Sequence, residues 1–289
     1  MISVMMPEYA RTSMRPISKT GGYMPVPTLD IDKRLVFTVT SGRSGTLYLT
    51  ELLKIIPGVS AHHEPSPDFT QAMRRIQTDP FIAYPFWLQM KLPEILSVPE
   101  NVYVETSHLF CKGFLEPLLR MGVRPALVFL RRPPRDVAWS FLLRSTIPGR
   151  TTTGTQHLLD PRDLNVMPLI NWQSASNYQL CYWYALEMER RYLHYDAMAK
   201  AFDLTTFDVT CDELHDYPSF QALLQALSLP EPGGMRETHR TLSSVKHNPN
   251  KAYHPIPDEQ INEESAVWES VEHFAPHLKA AIRNRYGQV

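Results

Sequence analysis

At 289 residues the chain can bury a sizeable core, and its 29 Lys plus Arg against 30 Asp plus Glu leave a net charge of -1. So balanced a chain has no global field to draw in nucleic acid, an anionic membrane or a cationic substrate, and any anion must be held by a local site. The three cysteines, Cys111, Cys181 and Cys211, are odd in number and never form a CxxC pair, which argues against a disulfide framework or a structural zinc site and fits a reducing, cytoplasmic compartment.

Residues 1–6 are apolar, but Pro7 stops them and they are too short for a signal segment or a membrane span. Residues 1–33 mix prolines with Gly21 and Gly22 and show no periodicity, so an irregular N-terminal arm is expected there, followed by a single domain over 34–289. Residues 35–39 (LVFTV) read as a buried strand ended by Ser41 and Gly42. Leu49, Leu52, Leu53 and Ile56 recur at helical spacing until Pro57 and Gly58, so a helix follows at once. A short strand is expected at 59–61, and further strands at 101–105, 125–130 and 204–209, with helical stretches between. That alternation predicts an α/β fold with a doubly wound, mostly parallel sheet.

The Thr-, Pro- and Gly-rich segment 146–168 is long for a connection and reads equally as a lid or acceptor loop and as simple surface disorder. The longest predicted helix spans 172–201, with Leu180, Tyr184, Met188, Arg191 and Tyr195 on one face, a stripe that reads as core. One amphipathic helix is expected over 262–286.

Chemistry concentrates at strand ends. After the first strand, Ser41, Gly42, Arg43, Ser44, Gly45 and Thr46 combine two glycines that let the backbone turn and approach a ligand with a full positive charge and hydroxyl donors. The helix that follows points its unpaired N–H groups at the same place, so the loop reads as an anion cradle. It lacks the Gly-Lys-[Ser/Thr] of an ATP- and Mg²⁺-using P-loop, which disfavours, without removing, an ATP-dependent phosphotransferase. After the strand at 125–130 come two arginines and two prolines. Proline suits the first helical turn, which leaves Arg132 at the strand end and sets Ser140 and Arg144, four apart, on one helix face. Physics alone does not rank Arg131 against Arg132, and Arg135 with Asp136 reads as a solvated pair at the helix start.

Together these elements resemble the sulfotransferases that use 3′-phosphoadenosine 5′-phosphosulfate. The loop at 41–46 resembles their 5′-phosphosulfate loop, with Arg43 where the family has Lys or Arg. Arg132 followed eight positions later by Ser140 resembles their 3′-phosphate element, and Arg144 matches a further arginine of the protein-tyrosine branch. The resemblance implies a P-loop nucleotide-kinase type of sheet, the phosphosulfate donor as co-substrate, and sulfuryl transfer to the hydroxyl of a peptide tyrosine, glycan, lipid or small natural product. It implies no obligatory metal, because the transferred group carries a single negative charge, and it gives Arg43 the role of stabilising the leaving phosphate. A non-catalytic nucleotide-binding module of the same fold is the other alternative.

Two residues compete for the base. Glu64 lies 21 positions after Arg43, where tyrosine-type enzymes keep a catalytic glutamate, whereas His108 sits in a segment similar to the Lys-Thr-His-Leu of small-molecule enzymes, with Thr106 in place of the lysine. A neutral imidazole is the better base near neutral pH, while spacing favours Glu64, so both remain open. Near the third element Cys211 stands where the family carries an aromatic. Ser243, Ser244, Lys246 and Lys251 are candidates for the donor contacts that the family makes near its carboxyl end.

Overall fold

A computed structural model describes residues 26–245 and 255–287. Most of the expected N-terminal arm lies outside the described residues, as do Lys246 and Lys251.

Five strands, β1 (Arg34–Val39), β2 (Val59–His62), β3 (Val102–Glu105), β4 (Ala126–Arg131) and β5 (Thr206–Thr210), form one sheet in the order β2-β3-β1-β4-β5. Every pairing is parallel. This is the expected α/β architecture, with strand ends within two residues of the predicted ones. Parallel strands at the middle of such a sheet are covered on both faces, which is why β1 and β4 read as unbroken apolar runs. The strand period sends alternate side chains to opposite layers. Leu35, Phe37 and Val39 enter one core, where Phe37 stacks on Phe110 with ring centroids 4.3 Å apart, and Val36 enters the other beside Leu49, Leu52 and Leu53.

The strand order also fixes where loops gather. From β1 the chain runs through helix α1 (Thr46–Lys54) toward β2 at one edge, whereas from β4 it runs through helix α2 (Pro134–Leu142) and helix α3 (Asn177–Ala201) to β5 at the other. The connections leaving adjacent strands β1 and β4 therefore diverge, and a crevice opens between them at the carboxyl edge of the sheet.

Helix α3 starts at Asn177, later than expected, because Ser176 and Gln179 form a reciprocal capping box that fixes the first turn. The single helix expected over 262–286 is instead divided into Asp258–Asn262, Glu264–Val271 and Leu278–Tyr286. Pro276 offers no N–H and excludes helical backbone before it, so the amphipathic pattern continues across a break that periodicity alone does not register. The segment at 146–168 is ordered and packed, against the alternative of surface disorder. It holds a short helix, Thr152–His157, and buries Ile147, Leu158, Leu159 and Met167 in the core. Its buried Asp160 pairs with Arg162 and Arg74, and Asp163 with Arg74 at 2.7 Å, which ties the segment to the helix Thr70–Ile76. Arg135 corrects a further expectation. Rather than a solvated partner of Asp136, it grips the buried Glu264 at 2.9 Å and so links α2 to the C-terminal helices.

Phe37→Ala removes a fully buried ring from the middle of the central strand and is expected to cost about 3–5 kcal/mol. Urea denaturation of the variant beside the parent chain checks this.

Candidate active site

The loop between β1 and α1 turns on Gly42 (φ 83), Arg43 (φ 59) and Gly45 (φ 92), all in the left-handed region. Gly45 is also the N-cap of α1, which has no side-chain cap and no acidic residue in its first turn, so the helix presents open N–H groups and its positive end. A Cβ on Gly42 would lie 3.1 Å from the His108 ring, and one on Gly45 would lie 2.4 Å from Cys211 Sγ. Glycine is required at both by close approach as well as by φ. The loop is held from behind. The Tyr192 hydroxyl accepts from Ser41 N at 2.9 Å, the Tyr184 hydroxyl donates to Ser41 O at 2.7 Å, and Ser41 and Ser44 share a 3.1 Å hydroxyl contact. Helix α3 thus supplies more than core: the hydroxyls of Tyr184, in the predicted stripe, and of Tyr192, outside it, fix the cradle.

The β4 element meets this loop directly. Arg132 Nη1 donates to the carbonyl of Arg43 at 2.8 Å, and Arg43 Nε donates to Ser140 Oγ at 3.2 Å. Arg144 lies close enough for its charge, with that of Arg132, to act on Arg43, whose guanidinium is brought down to about 10 by burial and then by these two cations. Among the described residues neither Arg43 nor Arg144 has a carboxylate at ion-pair distance, and Arg132 has only the exposed Asp136 at 3.7 Å. Arg131 is different. It is buried against Glu189 and Asp208 and lies over the Tyr192 ring at 4.3 Å, so the choice between the two adjacent arginines falls to Arg132. Two elements expected to hold opposite ends of a ligand are contiguous here, sharing one cationic cluster.

Glu64 and His108 also come together, with His108 Nδ1 2.6 Å from Glu64 Oε1. Such a contact is either a charged pair or a neutral imidazole donating Nδ1–H to a carboxylate. Burial, aided by the Lys112 charge, pushes His108 down to about 4, which selects the neutral form. Burial raises Glu64, but the hydrogen bond from His108, with the Lys112 charge nearby, outweighs it, so the carboxyl stays below its usual range and ionised. With Nδ1–H engaged, Nε2 is an acceptor that meets no hydrogen-bond partner among the described residues. The His108 ring packs on Gly42, which places this pair at the lip of the cradle.

Two neighbours escaped the sequence reading. Lys112 is fully buried, donates to the carbonyl of His157, lies 5.1 Å from the Tyr184 ring centroid and is brought down to about 7 by burial. The His157 ring sits 6.0 Å from that of His108. Lys112 stands four residues after His108, in the turns that lead to the helix Leu115–Arg120, but burial of a lysine is invisible in the pattern. Of the C-terminal candidates, Ser243 meets the Tyr48 hydroxyl at 2.6 Å beside the start of α1, and Ser244 bonds back to the Thr241 carbonyl. Cys211 fits where the resemblance expects an aromatic because Gly45 comes so near.

Against models of protein families the sequence matches none, and no curated protein matches it. Solved structures do. Mouse sulfotransferase SULT7A1, complexed with PAP, aligns over 89% of this chain and 90% of its own with a TM-score of 0.51 and 12% identity. The chain has a sulfotransferase fold. The sulfotransferase domain from the curacin biosynthetic pathway aligns over 82% of this chain and 98% of its own, with a TM-score of 0.45 and 12% identity.

Within that sulfotransferase fold the cradle tolerates no side chain at Gly45. Gly45→Ala is expected to destabilise the protein by about 2 kcal/mol. Adding Cys211→Ala should restore part of the loss, since it relieves the contact and not the backbone strain; thermal denaturation of the single and double variants measures both.

Proposed function

We propose that this chain is a sulfotransferase that moves a sulfuryl group from 3′-phosphoadenosine 5′-phosphosulfate to the hydroxyl of an acceptor. The observation that carries the reading is the cluster of Arg43, Arg132 and Arg144 on a glycine cradle at the crevice of the sheet, largely without counter-charge. Guanidiniums gathered in this way repel one another, and a polyanion removes that cost. A nucleotide phosphorylated at both ends fits a cradle of backbone N–H groups joined to a second, arginine-bearing strand end. Ser41, Gly42, Arg43, Ser44, Gly45 and Thr46 would hold the phosphosulfate, and Arg132, Ser140 and Arg144 the 3′-phosphate.

The pairing of Glu64 with His108 supports a base made of both residues rather than either alone. In the reaction the acceptor oxygen attacks sulfur as its proton passes to His108 Nε2, while the bond from sulfur to the bridging phosphate oxygen breaks. The electron pair leaves on that oxygen, where Arg43 stabilises it. Glu64 keeps Nδ1 protonated and stabilises the imidazolium that forms, the same division of labour as in other histidine–carboxylate pairs. The acceptor is a hydroxyl compound of the peptide-tyrosine, glycan, lipid or small natural-product kind. Residues 34–289 would act as one catalytic domain. The free thiols of Cys111, Cys181 and Cys211 support a cytoplasmic setting, and no described helix is long and apolar enough to cross a membrane.

Adenosine 3′,5′-bisphosphate should raise the melting temperature more than Mg·ATP, and Arg132→Ala or Ser140→Ala should weaken its binding on the order of tenfold. A larger shift with Mg·ATP would overturn the assignment in favour of phosphoryl transfer.

Glu64→Gln and His108→Ala should each slow single-turnover transfer on the order of 10²-fold or more, with donor affinity retained. A group acting as base works only when deprotonated, and His108 is held below the ordinary imidazole value. The acid limb of kcat/KM should therefore lie well below pH 6.5, and a limb at or above that value would speak against His108.

A further inference from the structure

Glu64 stands at φ 47, a left-handed conformation that is strained for a residue with a Cβ. The turn that carries it, residues 63–67, must be held by its surroundings. On one side His63 Nδ1 lies 2.9 Å from the Thr106 carbonyl. On the other, Lys91 donates to the carbonyls of Pro65 at 3.3 Å and Pro67 at 2.9 Å and also to Glu105 at 2.9 Å. Lys91 is 1% exposed and Glu105 is 0% exposed. Glu105 also accepts from the Tyr103 hydroxyl at 2.8 Å.

Sequence position makes the arrangement unusual. Lys91 ends a π-helical turn, Trp87–Lys91, set between the helices Ala83–Phe86 and Leu92–Ser97. Such a turn shifts the helix register, and here Lys91 faces inward while the adjacent Met90 is 42% exposed. A buried lysine–carboxylate pair is a weak source of stability, because desolvation offsets most of the attraction. This one uses the remaining hydrogens of its ammonium on two carbonyls of a single turn. Glu105, its anchor, is the last residue of β3 and stands three residues before His108.

We propose that Lys91 and Glu105 form a positioning device that clamps the 63–67 turn, so that the Glu64 carboxylate meets His108 Nδ1 from a rigid strand end. The inference rests on the Glu64–His108 base proposed above. It makes Lys91 and Glu105 positioning residues, remote from the reacting atoms but needed to aim the base.

The test replaces both charges at once, Lys91→Met with Glu105→Met, since removing one partner would strand a buried charge. Binding of adenosine 3′,5′-bisphosphate, expected to be unchanged, reports that the cradle is intact. In the unliganded protein the proton NMR signal of the His108 Nδ1–H bonded to Glu64 should be lost or displaced. With donor saturating, kcat should fall on the order of 10- to 100-fold with donor KM unaltered. In the Glu64→Gln background the same pair of substitutions should add no further loss, which a merely structural role would not produce. An unchanged His108 signal, or a loss that multiplies with that of Glu64→Gln, overturns the clamp. Should the double variant fail to fold, Lys91→Gln with Glu105→Gln, polar at both positions and leaving no buried charge unpaired, carries the same readouts with a smaller expected loss, and an unaltered His108 signal in it is equally decisive. If Glu64→Gln and His108→Ala themselves leave transfer untouched, the base assignment fails instead, an outcome separate from the NMR result.

Discussion

Arg43, Arg132 and Arg144 repel one another, and the sheet holds them together regardless. Arg43 follows β1 and Arg132 follows β4, neighbouring parallel strands whose outgoing connections diverge, so their ends open toward each other across a crevice. The remaining parts of the cradle follow from that juxtaposition. The loop must pass close to His108 and Cys211, which demands glycine at 42 and 45, and its carbonyls and N–H groups must be fixed from behind, which the hydroxyls of Tyr184 and Tyr192 accomplish. Structure that concentrates like charge at the cost of stability is what an anion site requires in its empty form.

The pair of Glu64 and His108 follows the opposite electrostatic logic. Both side chains are half-buried beside the buried Lys112, and desolvation with near partners sets their state: His108 neutral, Glu64 ionised, Lys112 brought down toward neutrality. Lys112 bonds to the carbonyl of His157, which ties the segment at 146–168 to the surroundings of His108, while Arg74 pairs with Asp160 and Asp163 of the same segment. The turn bearing Glu64 is secured independently by Lys91.

Much of this was legible beforehand. The alternation of apolar runs and helical periodicity gave the parallel sheet, and glycines beside Arg43 together with the eight-residue interval from Arg132 to Ser140 located both cationic elements. Errors fell where periodicity carries no information: the proline break in the C-terminal helix, the ordered packing of 146–168, and Arg135, whose partner Glu264 is 129 residues away. The choice between Glu64 and His108 was open for the same reason, since the contact joining them crosses 44 residues and two separate strand ends.

By itself the amino-acid order determined which residue types could act and on which local element each would stand, because strand, turn and helix propensities are decided by near neighbours. Which of them act together was decided only by the tertiary structure. Register between β2, β3, β1 and β4 brings the glycine loop, the Glu64–His108 pair and the guanidiniums to one edge, and burial, a property of the whole fold, shifts their protonation. Local sequence is silent on both, since proximity and dielectric environment arise from segments far apart in the chain.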